Sequence, residues 1–524
     1  MLNSKRSRIL LAAGIAGIYI TLAVLLAVTL RPRSDEGFFA SPALNLVETG
    51  SMGTPVLEPG HAFMKDIDRY TYWITPLHFL AQAAWYKVFG FGLVAMRMLS
   101  AAWALVALAA WFLILRHLSR NESLALLGTA LIGLDYNFIV GGASGRMDMM
   151  AASLGLAAFA AYWLLREQRL AAALVIANAL VCAAGLTHPV AGYLYFAGLL
   201  LLVVLYDRTR IRPRQVALAL VPYLAGAAAW GWYILQDPRA FVAQFTTNAT
   251  MLGRLNGVSA PWMGFVREIT ARYRMTFGLG RHSYGHEGPV YLKSLILLAF
   301  VVGLVGAIST GEIRRNKGYR TLMLLAALIF VLLSIFDGQK AYYYLIHIFP
   351  FYAALTAIWI HHLWQRRTAL RPVLAVGVAG VLVLQIAGVV YLAMRQTYAR
   401  TYAPAIAFLR STVGPGHTIM GSASLGFGLR FPRTLVDDVR LGCLTGRKPD
   451  YIVVNEEYTQ VFRDYSRREP QIYEFIVSRL TQEYEPIYNR AGYQVYAIRG
   501  VREAQPTSPP AASAAAIESL SRIR

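Results

Sequence analysis

The segment ILLAAGIAGIYITLAVLLAVTLRPRSDEGFFASPALNLVETG, residues 9–50, decides the reading of the whole chain. Ile9–Leu30 is an unbroken apolar run, close to the roughly 20 residues a bilayer core demands, and Lys5, Arg6 and Arg8 precede it. It lacks a small-residue cleavage site, so it is expected to stay as a membrane helix with a cytoplasmic amino terminus. Asp35 and Glu36 follow within a few residues of its end. Two carboxylates held that close to hydrocarbon are costly. Either they form a solvated pair that caps a helix starting near Gly37, or they do chemistry at a membrane surface.

Composition supports the membrane setting. Of 524 residues, 56% are hydrophobic and 15% charged, too apolar for an ordinary soluble protein. The formal net charge of +22 would suit a nucleic-acid partner, but Lys and Arg fall in short clusters between apolar runs. That placement is what topology requires, and no nucleic acid is expected. Cys182 sits inside an apolar run and Cys443 far along the chain, so no disulfide framework is expected.

Further spans are expected at about 94–115, 123–141, 148–165, 170–187, 190–206, 215–235, 290–310, 321–336, 341–362 and 373–394, eleven with the first. The alternate connections 116–120, 166–169, 207–214, 311–320 and 365–371 carry the Lys/Arg clusters, which places them on the cytoplasmic side. Residues 31–92 then form a long outer loop whose aromatic run TYWITPLHFLAQAAWYKVFGF is expected along the interface. After about residue 394 the pattern changes to short strand and helix signals, HTIMGSAS, PDYIVVN, FRDYSRREPQIYEFIVSRLTQEY and YQVYAIR. The expected fold is an all-α polytopic membrane protein, 1–394, with a small extracytoplasmic α/β domain, 395–502, and a disordered tail, 503–524.

Ionisable groups at membrane depth are functional candidates by default. Beyond Asp35 and Glu36, the predicted outer side holds Lys65, Asp66, Asp68 and Arg69, then Arg146 and Asp148, His188, and Lys340 before the tyrosine run that includes Tyr343. Each has a plainer reading. Arg146 and Asp148 suit a helix-start ion pair, His188 before Pro189 a turn, and Lys340 a snorkelling side chain. His282, His286 and Glu287 have weak metal-ligand spacing. Together the acids and cations suit a proton acceptor for an attacking hydroxyl beside bases that hold a departing phosphate. No nucleotide supply exists outside the cytoplasm, so an activated donor there would arrive anchored in lipid.

The Asp-Glu pair, ASPALNLVETG (40–50), KVFGF (87–91), RMLSAAWALVALAAWFLILRHL (97–118), GRMDMMAASLGLAAFAAYWLL (145–165), LTHPVAGYLYF (186–196) and KAYYYLIHIFPFYAAL (340–355) resemble segments of the family 39 glycosyltransferases. These belong to the GT-C superfamily, with the dolichyl-phosphate-mannose protein mannosyltransferases and the lipid A aminoarabinose transferases. The resemblance covers roughly residues 9–395. It implies a many-helix membrane transferase, of hexosyl or pentosyl type, that uses a polyprenyl-phosphate sugar and inverts the anomeric carbon. The acceptor would be a glycan, a lipid or a protein. It further implies that Asp35 is the catalytic base, that Glu36 positions or shares its charge, and that Lys65 or Arg69 contacts the lipid phosphate. The family's Lys-Pro-Pro-type sequence is Lys-Asp-Ile-Asp-Arg here. No cofactor is required, although phosphate and carboxylates would attract a divalent metal.

A transporter or flippase of a lipid-linked or anionic solute is the alternative. It would place charges near mid-span and show inverted repeats or broken helices. No clear internal repeat is evident, and the charges sit at span ends on one side. A membrane scaffold would leave the first outer loop unexplained.

Overall fold

The computed structural model describes residues 5–59, 65–250, 253–254, 256–279, 282–283, 286–287 and 291–500. The tail expected to be disordered lies outside them. Among the described residues nine helices are long and apolar enough to cross a membrane, ten if the bent pair 122–133 and 136–142 is one span. The remaining expected span, 341–362, opens as a short 3-10 turn at Tyr342–His347 and becomes the helix Phe349–Arg366.

In chain order the bundle begins with α1 (Lys5–Thr29), α2 (Ser34–Thr49), α3 (Leu77–Phe89), α4 (Leu93–Ser119), α5 (Glu122–Gly133), α6 (Tyr136–Gly142), α7 (Met147–Leu165), α8 (Leu170–Thr187), α9 (Pro189–Tyr206) and α10 (Pro213–Ile234). Helices Leu292–Ser309, Lys317–Phe336, Phe349–Arg366 and Arg371–Met394 complete it. The breaks have local causes. Between α5 and α6 the chain turns by 66°, and Asp135 caps the new helix by accepting the Phe138 N–H at 2.9 Å. Between α8 and α9 Pro189 occupies the first helical position, and His188 Nδ1 accepts the Val190 N–H at 3.1 Å. One apolar core runs through α4, α5, α7, α8, α9 and Phe349–Arg366, with Trp111 and Phe351 edge to face at 4.8 Å.

The basic connections gather at one end. Arg8 and Arg116 pair with Glu122, Arg166 and Arg210 with Asp207, and Arg366 with Glu312, while Lys317 lies 4.3 Å from the Tyr206 ring. The alternation of charged connections in the sequence therefore corresponds to one physical face.

At the opposite end the C-terminal α/β unit packs on the first long loop. A two-residue hairpin, β1 (His282–Ser283) and β2 (His286–Glu287), precedes its strands β3 (Ile419–Gly421), β4 (Leu435–Val436), β5 (Tyr451–Asn455), β6 (Tyr484–Arg490) and β7 (Tyr493–Ile498). These five form a sheet in the order β4-β3-β5-β7-β6, parallel across β4-β3-β5 and antiparallel beyond. Leu57 and Asp437 form a parallel bridge, so the first loop extends the edge of this sheet. Gly37 of α2 meets the main chain of Ala423 so closely that a Cβ would not fit.

Candidate active site

The site is built on a buried ion pair that the reading of charges in the sequence missed. Arg97, one turn into α4, sits under the end of α1 and the start of α2. Its Nε and Nη2 donate to the two oxygens of Glu36, each at 2.7 Å. Its remaining donors reach the carbonyls of Ala27, Leu30 and Arg31 at 2.8–3.0 Å. These are acceptors that the end of α1 leaves without helical partners, so the cation also complements the negative end of that helix. Glu36 further accepts the N–H groups of Gly145 at 2.9 Å and Arg33 at 3.0 Å. Burial opposes ionisation of Glu36, yet Arg97 and the two N–H groups hold its carboxyl below the ordinary carboxylate range. Both oxygens are therefore committed inside the protein. Glu36 joins α1, α2, α4 and the loop before α7, and it presents nothing to a substrate.

Asp35 points the other way. Its side chain is 47% exposed, and one carboxylate oxygen pairs with Nη1 of Arg146. Arg146, only 5% exposed, also donates through Nε to Asp148 at 2.8 Å and lies 3.6 Å from the Tyr343 ring centroid. Asp148 stands in the first turn of α7, where a carboxylate complements the helix dipole. Its second oxygen, Oδ1, is buried and has no hydrogen-bond partner among the described residues. An orphaned buried acceptor of this kind costs free energy until something donates to it.

Arg146, Asp148 and Tyr343 line an open cleft, about 820 Å³ of atom-free space with the adjoining open solvent included. Two further cations face it, Arg33 from the residue before α2 and Lys293 from the start of Leu292–Ser309. Tyr136, Val140, Met149, Met275, Leu345, Ile346 and Leu392 supply apolar wall. A cleft with three cations, one lining carboxylate and greasy sides suits an anion on an apolar carrier.

Other expected members are placed elsewhere. Lys65 and Arg69 are exposed, absent from the cleft lining, and Arg69 lies over the Tyr70 ring at 6.0 Å. The turn Lys65–Arg69, expected to contact the lipid phosphate, is held on Gln244, which donates to the Lys65 carbonyl at 2.7 Å. Lys340 is fully buried and bound to Glu268 at 3.2 Å and to the Ser334 carbonyl at 2.6 Å, in a cluster with Arg272 and Asp337. It serves that cluster and does not snorkel. His188 is the α9 cap, and its Nε2 is 3.2 Å from the Tyr344 hydroxyl. Arg33, Arg97 and Lys293 were not singled out by the sequence. Arg97 and Lys293 sit inside helices whose runs read as spans, and a lone cation within a span was the available signal. Among the described residues no group of three His, Cys, Asp or Glu side chains is arranged to hold a metal ion. The side chains of His282, His286 and Glu287 lie outside the described ones.

The fold, a polytopic bundle with a five-stranded α/β unit on one end, is of the GT-C type that the resemblance implies. It is similar to ArnT from Cupriavidus metallidurans bound to undecaprenyl phosphate, with a TM-score of 0.61 at 15% identity over 95% of this chain and 99% of that one. ArnT in the apo state gives 0.60 at 14% identity over 93% and 98%. The oligosaccharyltransferase of Archaeoglobus fulgidus in its apo form gives 0.52 at 13% identity, over 92% of this chain and 70% of that one. No protein-family model matches the sequence, and no curated protein matches it.

Proposed function

We propose that the chain is an integral-membrane glycosyltransferase that moves a sugar from a polyprenyl-phosphate donor to a hydroxyl or amine acceptor on the extracytoplasmic face, with inversion. The observation that carries this reading is that Arg146, which lines the cationic, apolar-walled cleft, is tied to the exposed carboxylate of Asp35. The similarity to a structure bound to undecaprenyl phosphate supports the donor class. The basic connections at the opposite end support the orientation, with the amino terminus cytoplasmic.

In the step we infer, the acceptor oxygen or nitrogen attacks the anomeric carbon. The bond from that carbon to the phosphate oxygen breaks, and its electron pair leaves on the phosphate. The acceptor's proton passes to Asp35. Arg33, Arg146 and Lys293 neutralise the departing phosphate in place of Lys65 and Arg69. Asp148 Oδ1 accepts a hydrogen bond from a sugar hydroxyl, which would satisfy it. Arg146 links the two ends of the reaction, because one guanidinium touches the base and lines the anion cleft.

The test is release of undecaprenyl phosphate from undecaprenyl-phosphate-linked pentoses and hexoses, with extracted envelope material as acceptor. Asp35→Asn is expected to lose turnover while keeping its melting temperature in detergent. Undiminished turnover in that variant removes Asp35 from the chemistry.

A further inference from the structure

Within its own segment helix α2 has one cap, Glu36 reaching back to the Arg33 N–H at 3.0 Å, and the N–H of its first residue, Ser34, is left for an outside acceptor. The residue before it, Arg33, stands where helices favour Ser, Thr, Asp or Asn, and it has no side-chain acceptor for the first free N–H groups. The acceptor comes from more than 400 positions along the chain. Glu457 lies in the first turn of the helix Glu456–Arg468, which Asn455 caps by accepting the Tyr458 N–H at 3.0 Å. The Glu457 carboxylate accepts the Ser34 N–H at 3.2 Å and also the Ser34 hydroxyl. Ser34 Oγ is in turn 2.6 Å from Ser422 Oγ, which is 2.8 Å from Ser424 Oγ.

The surrounding contacts hold this junction tightly. Ala423 presses on Gly37, one turn further along α2, and its N–H donates to Asp437 at 2.6 Å. The Asp437 N–H donates to the Val56 carbonyl at 2.6 Å. The C-terminal unit thus grips both ends of the segment from α2 to the strand-like turn at Leu57. The residue next to Ser34 is Asp35.

We propose that Glu457 is a positioning residue for Asp35, a cap supplied across the domain boundary, so that the C-terminal unit is part of the active centre. This rests on the reading of Asp35 as the proton acceptor. Freed from Glu457, Ser34 and the first turn of α2 lose their anchor, and the carboxylate of Asp35 is no longer held against Arg146. Misplacement of a reacting group by about 1 Å costs on the order of 10²-fold.

The experiment compares wild type, Glu457→Ala, Glu457→Gln, Ser34→Ala and Glu456→Gln as full-length protein in nanodiscs. Glu456 is the control, since it pairs with Arg31 on the exposed side. Two readouts are taken, hydrogen exchange of the amides of residues 34–36 and release of undecaprenyl phosphate from the same donor panel. Glu457→Ala is expected to speed exchange there and lower kcat by about 10²-fold, with KM for the donor within twofold. Glu457→Gln keeps an acceptor for Ser34 and is expected to recover part of kcat. Ser34→Ala is expected to lower kcat by a few-fold without touching the core of the C-terminal unit. Glu456→Gln is expected to match wild type in both readouts. Wild-type kcat and wild-type exchange in both Glu457→Ala and Ser34→Ala would overturn the proposal, as would faster exchange with unchanged kcat, since the contact would then be structural alone. If wild type releases lipid phosphate from no donor, the transferase reading falls by itself, and the exchange data still decide whether Glu457 anchors α2.

Discussion

Two groups of charged side chains sit at the same end of the bundle, and they differ in what they leave open. In the first, Asp35, Arg146 and Asp148 are joined through one guanidinium, and Arg33 and Lys293 add positive charge along the shared cleft. Positive charge is in excess, and half of the Asp35 side chain meets solvent. In the second, Glu268, Arg272, Asp337 and Lys340 are all buried, and each cation meets an anion. Two acids and two bases cancel there. Sequence reading treats Arg146 and Lys340 alike, as cations next to an apolar run. Only the first belongs to a group that needs an outside anion to balance it, while the second locks a chain turn into a low-dielectric interior.

The largest effect is expected from unbalancing the closed group. Glu268→Ala leaves Arg272 and Lys340 without one of their partners and should destabilise the fold by about 3–5 kcal/mol. Thermal unfolding in detergent measures this, and the double change with Lys340→Met should cost less than the sum of the singles. An additive result would mean that the four groups are not one unit. Next comes the open group. Arg146→Lys keeps the charge but loses the planar fork that touches Asp35 and Asp148 together, and turnover should fall on the order of 10²-fold. A variant with near-normal kcat would show that the link across the cleft is dispensable.

A smaller effect concerns the junction of the C-terminal unit with the first loop. Burial pushes the Asp437 carboxyl up to about 7 from an ordinary value of 3.8. The folded protein therefore binds more protons than the unfolded chain between about pH 4 and 7, so this contribution to stability is fully present below that window, is lost as pH rises across it, and levels off above 7. Asp437→Asn keeps an acceptor for the Ala423 N–H and should flatten this slope in melting temperatures taken from pH 5 to 8. A slope that survives the substitution assigns the titration to another group. Smallest of all, Lys65→Ala and Arg69→Ala should change donor KM by less than about twofold, because exposed cations in water contribute little. A tenfold loss in either would return the phosphate contact to that turn.

Much of the architecture was legible because apolar runs of span length and the alternation of basic connections are one-dimensional signals. The α/β character of residues after 394 was also readable from strand-like alternation, though strand order was not. A helix starting near Gly37 is a few residues late: Asp35 and Glu36 lie inside the first turn of α2, not ahead of it. At the site, the structure brings together Asp35, Arg146, Asp148 and Tyr343, all candidates on sequence alone. Lys65, Arg69, His188 and Lys340, candidates on the same grounds, lie in other surroundings. Adjacent acids give no hint of their division of labour, since successive helical residues diverge by about 100°, turning Glu36 inward to Arg97 and Asp35 outward to Arg146.

By itself the order of residues determined the membrane setting, the two faces of the bundle and the presence of a paired acid after the first span, because hydrophobicity and charge act residue by residue. Which cations balance which acids was decided only by tertiary packing. Arg97 reaches Glu36 across 61 positions and Glu457 reaches Ser34 across 423. Electrostatic and hydrogen-bond energies depend on distance in space and on burial, and neither is encoded at any single position of the chain.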